Sequence, residues 1–169
     1  MKENPMKKIR IEKVTLNIGV GESGEKLEKA KRLLETLTEK TIILTKTKKR
    51  NTFGVQKGRP IGAKVTLRGE NAINFLKKIF ETKDKKISEK CFDNNGNFSI
   101  GIHEHIDMPG VRYDPKIGIF GMDICVTLER PGFRIKKRKI SKPIGKNHRI
   151  SKEDSINYIK KNFEIEVIK

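Results

Sequence analysis

Two stretches of this sequence contain no acidic residue at all, residues 40–69 and residues 130–152. They hold nine and ten Lys or Arg respectively. Setting those 19 aside from the 39 basic residues leaves 20 against 21 Asp and Glu, so the formal charge of +18 resides in the two stretches. Generic solubilising lysines would be spread evenly. Segregated basic blocks mark a surface for a polyanion, usually nucleic acid.

Cysteine is nearly as scarce. Cys91 and Cys125 have no CxxC spacing, and each sits beside apolar residues (Phe92; Ile124 and Val126). Buried, reduced thiols are therefore expected. Long apolar runs are missing too: none approaches the roughly 18 residues that cross a bilayer. The first residues, MKENPMKKIRIEK, carry charges throughout and no apolar core, unlike a secretory signal. These absences lead us to expect a soluble, cytoplasmic protein with no membrane partner. A chain of 169 residues fits one domain over 1–169, and a chain of this size removes roughly two-thirds of its unfolded surface from water.

What is present has two periods. Val14, Leu16 and Ile18 alternate with Thr15 and Asn17, a half-buried strand within residues 9–18. Leu27, Ala30, Leu33, Leu34 and Leu37 recur at helical spacing over 25–40. Strands are expected at 41–47 and 63–68, the latter with Val65 and Leu67 inward and Lys64, Thr66 and Arg68 outward. Ala72, Ile73, Phe75, Leu76, Ile79 and Phe80 mark a second helix over about 70–82. Asn95-Gly96 is a hairpin-type turn before alternating Phe98, Ile100 and Ile102. Residues 106–122 have no clear period and read as an ordered, irregular loop. Ile124, Val126 and Leu128 alternate again in a strand over 122–130. Ser151 and Asp154 form a capping-box start for a helix through about 162, with Ile156 and Ile159 inward, and a short strand is expected over 163–168. Mixed elements without strict β-α alternation give an α+β fold, an antiparallel sheet with helices packed on one face. The second basic stretch lacks the apolar content to fold alone.

Candidate chemistry is thin. Gly19-x-Gly21-x-x-Gly24 in NIGVGESG follows a strand and precedes a helix, as in dinucleotide-binding folds. The acidic ribose-binding residue expected about 20 positions later is missing; that strand ends in Leu44-Thr45-Lys46-Thr47. The alternatives are a plain glycine turn, or a helix N-terminus holding an RNA phosphate. His103 and His105, at i and i+2, share a strand face near Glu104 and Asp107, but zinc would want more ligands at a recognisable spacing. We read them as an ordinary polar edge. No metal or cofactor is expected.

The outward sheet face is more informative. If their strands are neighbours, Thr15, Asn17, Lys64, Thr66 and Arg68 project together as donors suited to phosphate and ribose, or simply as a solvated face. Without stacking aromatics, such a face suits a folded RNA read by shape. Beside it lies KTKKRNTFGVQKGRPIG at 46–62, a protruding basic loop with six Lys or Arg and no acid.

Five strings carry a resemblance: NPM at 4–6, EKVTLNIGVGE at 12–22, KGRPIGAKVTLRGE at 57–70, FDNNGNFSIGIHEHIDMPGVRYDPKIGIFGMD at 92–123 and ERPGFRIKKRK at 129–139. In this order they resemble the archaeal-type branch of the large-subunit ribosomal protein family L-five, which binds 5S rRNA. The resemblance runs from about residue 4 to 167. It implies a non-catalytic α+β protein of the ribosomal central protuberance that attaches 5S rRNA to the 23S-type rRNA. It also implies contacts with other large-subunit proteins, with P-site tRNA and with a small-subunit protein across an intersubunit bridge. The implied 5S rRNA surface comprises Asn17, Gly19, Lys46, Lys48, Lys49, Gly62, Lys64, Thr66 and Arg68, the glycines permitting close approach. The implied tRNA-proximal tip comprises Arg50, Asn51, Thr52, Phe53, Gly54, Val55, Gln56 and Lys57. A further basic arm over 130–150 carries Arg134, Lys136, Lys137, Arg138 and Lys139. One departure from the family pattern is a loop without any acidic residue, with Arg59 before Pro60.

Overall fold

Alternation makes strands here because one side of each can be buried while the other stays wet. A computed structural model of the chain describes residues 4–50 and 54–168. In chain order it contains β1 (Arg10–Gly19), α1 (Glu25–Thr38), β2 (Ile43–Lys46), β3 (Pro60–Leu67), α2 (Glu70–Thr82), β4 (Lys86–Ser88), β5 (Phe98–Ile102), β6 (Met122–Glu129), α3 (Lys152–Phe163) and β7 (Glu166–Ile168). Five strands form an antiparallel sheet in the order β2-β3-β1-β6-β5, and β4 pairs in parallel with β7. The fold is α+β, as the mixed patterns indicate.

Packing divides the chain into two compact units, and β1, β5 and β6 contribute residues to both. The first unit comprises Met1–Val14, Arg68–Ser99 and Cys125–Lys169. Its core is aromatic: Phe80 of α2 stacks on Phe98 of β5 at 6.4 Å and meets Phe163 of α3 edge-on at 5.0 Å, while Phe92 lies 5.2 Å from Phe98. The apolar stripe of α2 is narrower than the sequence suggests. Ala72, Phe75, Leu76, Ile79 and Phe80 are buried, but Ile73 is exposed on the helix flank. The Asn95-Gly96 turn closes a Phe92–Phe98 antiparallel bridge, with the Gly96 amide donating to the Asp93 carbonyl. α3 starts in the expected capping box, Ser151 and Asp154 exchanging both hydrogen bonds. Strand β4 has too short a signal to be read from sequence, and its partner β7 lies far along the chain.

The second unit comprises Thr15–Leu67 and Ile100–Ile124. Here α1 packs on β3 and buries Leu27, Ala30, Leu33 and Leu34. β2 runs antiparallel to β3 with Ile43 opposite Lys64 and Thr45 opposite Gly62. Gly62 is buried because a Cβ there would lie 2.7 Å from Thr45 Oγ1 and 2.9 Å from the Ile18 carbonyl oxygen. By contrast nothing lies within 4 Å of a Cβ built on Gly19.

Two expectations need correction. His103 and His105 do not share a strand face: β5 ends at Ile102, His103 is exposed, and His105 opens a short 3-10 turn with only 1% exposure. The His105 amide donates to the Phe120 carbonyl at 3.0 Å, and its Nδ1 accepts from the Phe120 amide at 3.3 Å. The imidazole therefore mimics a strand partner and ties down the irregular 106–122 segment. Cys125, expected to be buried, is exposed, and Cys91 is half-buried. The period of two explains Cys125: with Ile124 and Val126 inward, the residue between them must face out.

Two stability predictions follow from these contacts. Gly62→Ala should cost about 1–3 kcal/mol, the scale of overpacking against backbone, whereas Gly19→Ala should stay within about 0.5 kcal/mol; urea denaturation of both variants checks the contrast. His105→Ala should cost about 2–4 kcal/mol by leaving a cavity and an unpaired Phe120 amide. Amide exchange should accelerate at Phe120 in the same variant.

Candidate nucleic-acid interface

The basic loop grows out of the β2–β3 hairpin. At its base the Thr47 amide donates to the Arg59 carbonyl at 2.9 Å and the Gly58 amide to the Thr47 carbonyl at 3.0 Å. The Thr47 hydroxyl donates to the Gln56 carbonyl at 2.7 Å, closing the loop from within. Both ends of the loop are therefore held, and the charge between them is displayed rather than folded away. Lys46, Lys48, Lys49, Arg50, Lys57 and Arg59 are all exposed. Among the described residues, none of these six is paired with a carboxylate. Gly54 and Gln56 are exposed and Val55 is half-buried; the expected tip residues Asn51, Thr52 and Phe53 lie outside the described residues.

α1 shows the opposite arrangement. Lys26 pairs with Glu22 at 2.7 Å, Lys29 with Glu25 at 2.8 Å and Lys31 with Glu35 at 3.6 Å. The hydrogen bond from Lys29 holds the Glu25 carboxyl below its ordinary value, and Glu22 raises Lys26 above its own. Such exposed pairs add little stability, but they cancel charge where it stands. On this helix, unlike the loop, those cations are neutralised where they stand.

β1 and β3 are neighbours in the sheet, so the condition set for a shared outward face is met. Thr15 and Asn17 on β1, and Lys64 and Thr66 on β3, occupy the registers opposite the core residues Val14, Leu16, Ile18, Ala63, Val65 and Leu67. The β2 register adds Ile43 and Thr45 to that face, and Ile43 is 58% exposed. Gly19 is exposed at the end of β1, but Gly62 is occupied by Thr45 and Ile18, so its missing side chain serves the sheet. Chemically the surface offers hydroxyls, an amide and cations, a set suited to phosphate and ribose.

The glycine motif is a turn. The Val20 and Gly21 amides both donate to the Ile61 carbonyl, at 3.0 and 2.9 Å, so they extend the β1–β3 pairing and are not free for a phosphate. The first turn of α1 carries Glu25 and Glu28, whose charges favour the helix dipole and repel an anion. An antiparallel sheet also lacks the crossover on which dinucleotide folds depend. Among the described residues no group of His, Cys, Asp and Glu could hold a metal ion, and no helix is long and apolar enough to cross a membrane.

The second basic segment is folded back on the first unit. Arg130, only 8% exposed, donates from Nη1 to the Arg149 carbonyl at 3.0 Å and from Nη2 to Asp154 Oδ2 at 2.9 Å, joining the two ends of the segment. Phe133 meets His148 edge-on, and His148 Nε2 donates to the Pro131 carbonyl at 2.8 Å. Arg134, Lys136, Lys137, Arg138 and Lys139 remain exposed on this frame. Lys137 is bound to Glu12, which also receives Arg68 Nη1 at 3.7 Å; the Glu12 side chain is only 7% exposed. Glu12 went unremarked in the sequence, although the period placing Val14 inward places Glu12 inward as well. Lys13 was likewise missed on the Thr15–Asn17 side of β1, where the same alternation puts it.

Sequence matches to known proteins cover nearly the whole chain. Residues 60–158 match the model of the ribosomal L5P family C-terminus, and residues 4–55 match that of ribosomal protein L5. Large ribosomal subunit protein uL5 of Sulfolobus acidocaldarius is 50% identical over 169 residues, covering 99% of this chain and 95% of its own. Its namesake in Methanococcus vannielii is 49% identical over 171 residues, covering 98% and 94%. With both family models matched in order, and half of all positions shared with archaeal relatives, the chain belongs to the ribosomal protein L5 family, a family of structural, non-enzymatic ribosomal proteins.

Proposed function

We propose that this protein binds 5S rRNA and attaches it to the large-subunit rRNA in the central protuberance of the cytoplasmic ribosome. The carrying observation is the contrast between six exposed, carboxylate-free cations on the β2–β3 loop and the internally paired lysines of α1. Cations without a carboxylate partner can displace the counterions condensed on RNA phosphates, which drives association with a folded RNA.

In this reading the sheet face and loop base divide the work. Asn17, Lys64, Thr66 and Arg68, with Lys46, Lys48 and Lys49, contact 5S rRNA. The loop from Arg50 to Lys57 reaches toward P-site tRNA, and Arg134, Lys136, Lys137, Arg138 and Lys139 form a second basic arm that neutralises rRNA phosphates. Contacts with other large-subunit proteins, and with a small-subunit protein across an intersubunit bridge, complete its place. Two features support the division: Lys64 and Thr66 rise from a strand paired on both sides, whereas Gly54, Gln56 and Lys57 are exposed in a loop whose base is closed by hydrogen bonds. A rigid strand suits a permanent RNA contact, and a loop suits a passing one.

Filter binding to 5S rRNA and to an unrelated structured RNA of equal length, at two salt concentrations, tests the main proposal. Preference for 5S rRNA by about a thousandfold is expected, the lower end of specific-to-non-specific ratios; equal affinities would mean a general basic RNA chaperone instead. Lys64→Ala should weaken 5S rRNA binding by about 1 kcal/mol, the scale of one charged hydrogen bond. Gln56→Ala should leave 5S rRNA binding intact while altering tRNA placement on reconstituted ribosomes. Loss of 5S rRNA binding in that variant would show the division of the surface to be wrong.

A further inference from the structure

We infer that Glu12 is a positioning residue that holds Arg68 and Lys137 together as one clamp for an RNA backbone phosphate, an inference that rests on the RNA-binding reading above. The two cations come from the two separate acid-free segments and converge on a single carboxylate. Arg68 Nη1 reaches both Glu12 Oε1, at 3.7 Å, and the Glu12 carbonyl oxygen, at 3.4 Å. Lys137 meets the same Oε1 from the folded basic segment. Glu12 is 7% exposed at its side chain, whereas Arg68 is 61% and Lys137 51% exposed. The anion is hidden and the cations are displayed.

A carboxylate on a phosphate-binding face should repel the ligand unless it does something more useful. Two cations against one carboxylate leave a net positive charge. A guanidinium has five N–H donors, and Glu12 is met by Nη1 of an Arg68 side chain that is 61% exposed. Because the Glu12 side chain is only 7% exposed, it cannot be left unpaired without a large desolvation penalty. It therefore pins two long side chains whose ordering a phosphate would otherwise have to impose. The adjoining cleft, about 590 Å³, is lined by Lys13, Lys136, Lys137 and Arg149 among its charged residues, with Glu12 as the single acid.

The test turns on a sign. Glu12→Gln raises the formal charge of the chain, so simple electrostatics calls for tighter RNA binding and a steeper salt dependence. A positioning role calls for the reverse: affinity of the full chain for 5S rRNA falling about tenfold, with the slope of log K against log salt shallower by up to about 1. If Glu12 acts through the two cations, Glu12→Gln should have little further effect in an Arg68→Gln, Lys137→Gln background. Tighter binding by Glu12→Gln, or full additivity in that background, overturns the inference. Both cations are largely exposed and each glutamine keeps an N–H donor for the Glu12 carboxylate, so the double variant should fold, and its salt slope should drop by about 1, one phosphate, even where Glu12→Gln fails to fold. An unchanged slope in the double variant also overturns the inference. The slope can be read on any structured RNA, so loss of 5S specificity in the unaltered chain would count against the proposed function alone.

Discussion

The structure depends on a sheet that is apolar on one side only. Alternate residues are buried over Val14–Ile18 of β1, Ala63–Leu67 of β3 and along β5 and β6, and those between them are not. Helices α1 and α2 bring matching apolar stripes to cover the buried registers. The opposite register of β1 and β3 carries hydroxyls, an amide and lysines held in strand register. A backbone paired within a sheet is stiff, so those groups stand at fixed spacings, which is what recognition of a folded RNA backbone requires.

Charge is organised by the same economy. On α1 each of Lys26, Lys29 and Lys31 has a glutamate one turn away. On the β2–β3 loop the described cations have none, and the loop is held open by hydrogen bonds at its base from Thr47. A protein with this much excess charge pays for it in self-repulsion, and confining the excess to surfaces that meet a polyanion removes that repulsion on assembly. The folded 130–150 segment follows a related logic. Its apolar anchor Ile150 and its buried Arg130 sit at the two ends, leaving the lysines between them on the outside.

Glu12 and His105 are polar side chains held largely out of solvent, and each ties a distant segment to its own. His105 supplies an acceptor for the Phe120 amide and so gives the 106–122 loop a fixed edge. Glu12 draws in Lys137, from a position 125 residues further along the chain. A buried polar group is costly until paired, and that cost selects one arrangement of the loop over its alternatives.

The amino-acid sequence by itself determined the strands and helices of the main sheet, the capping box of α3 and the confinement of charge to two stretches, because these are properties of neighbouring residues and of period. It also marked Cys125 and Glu12 for the faces they occupy, had the alternation been followed through to them. Only the tertiary structure decided who meets whom. The parallel β4–β7 pair, the ion pairs at Glu12, the Arg130 link and the burial of His105 all join residues far apart in the chain, and no local pattern encodes such partners. Gly62 shows the limit most plainly. A glycine beside a basic loop looks like room for RNA, and only the packed sheet reveals that Thr45 and the backbone of Ile18 have taken the space.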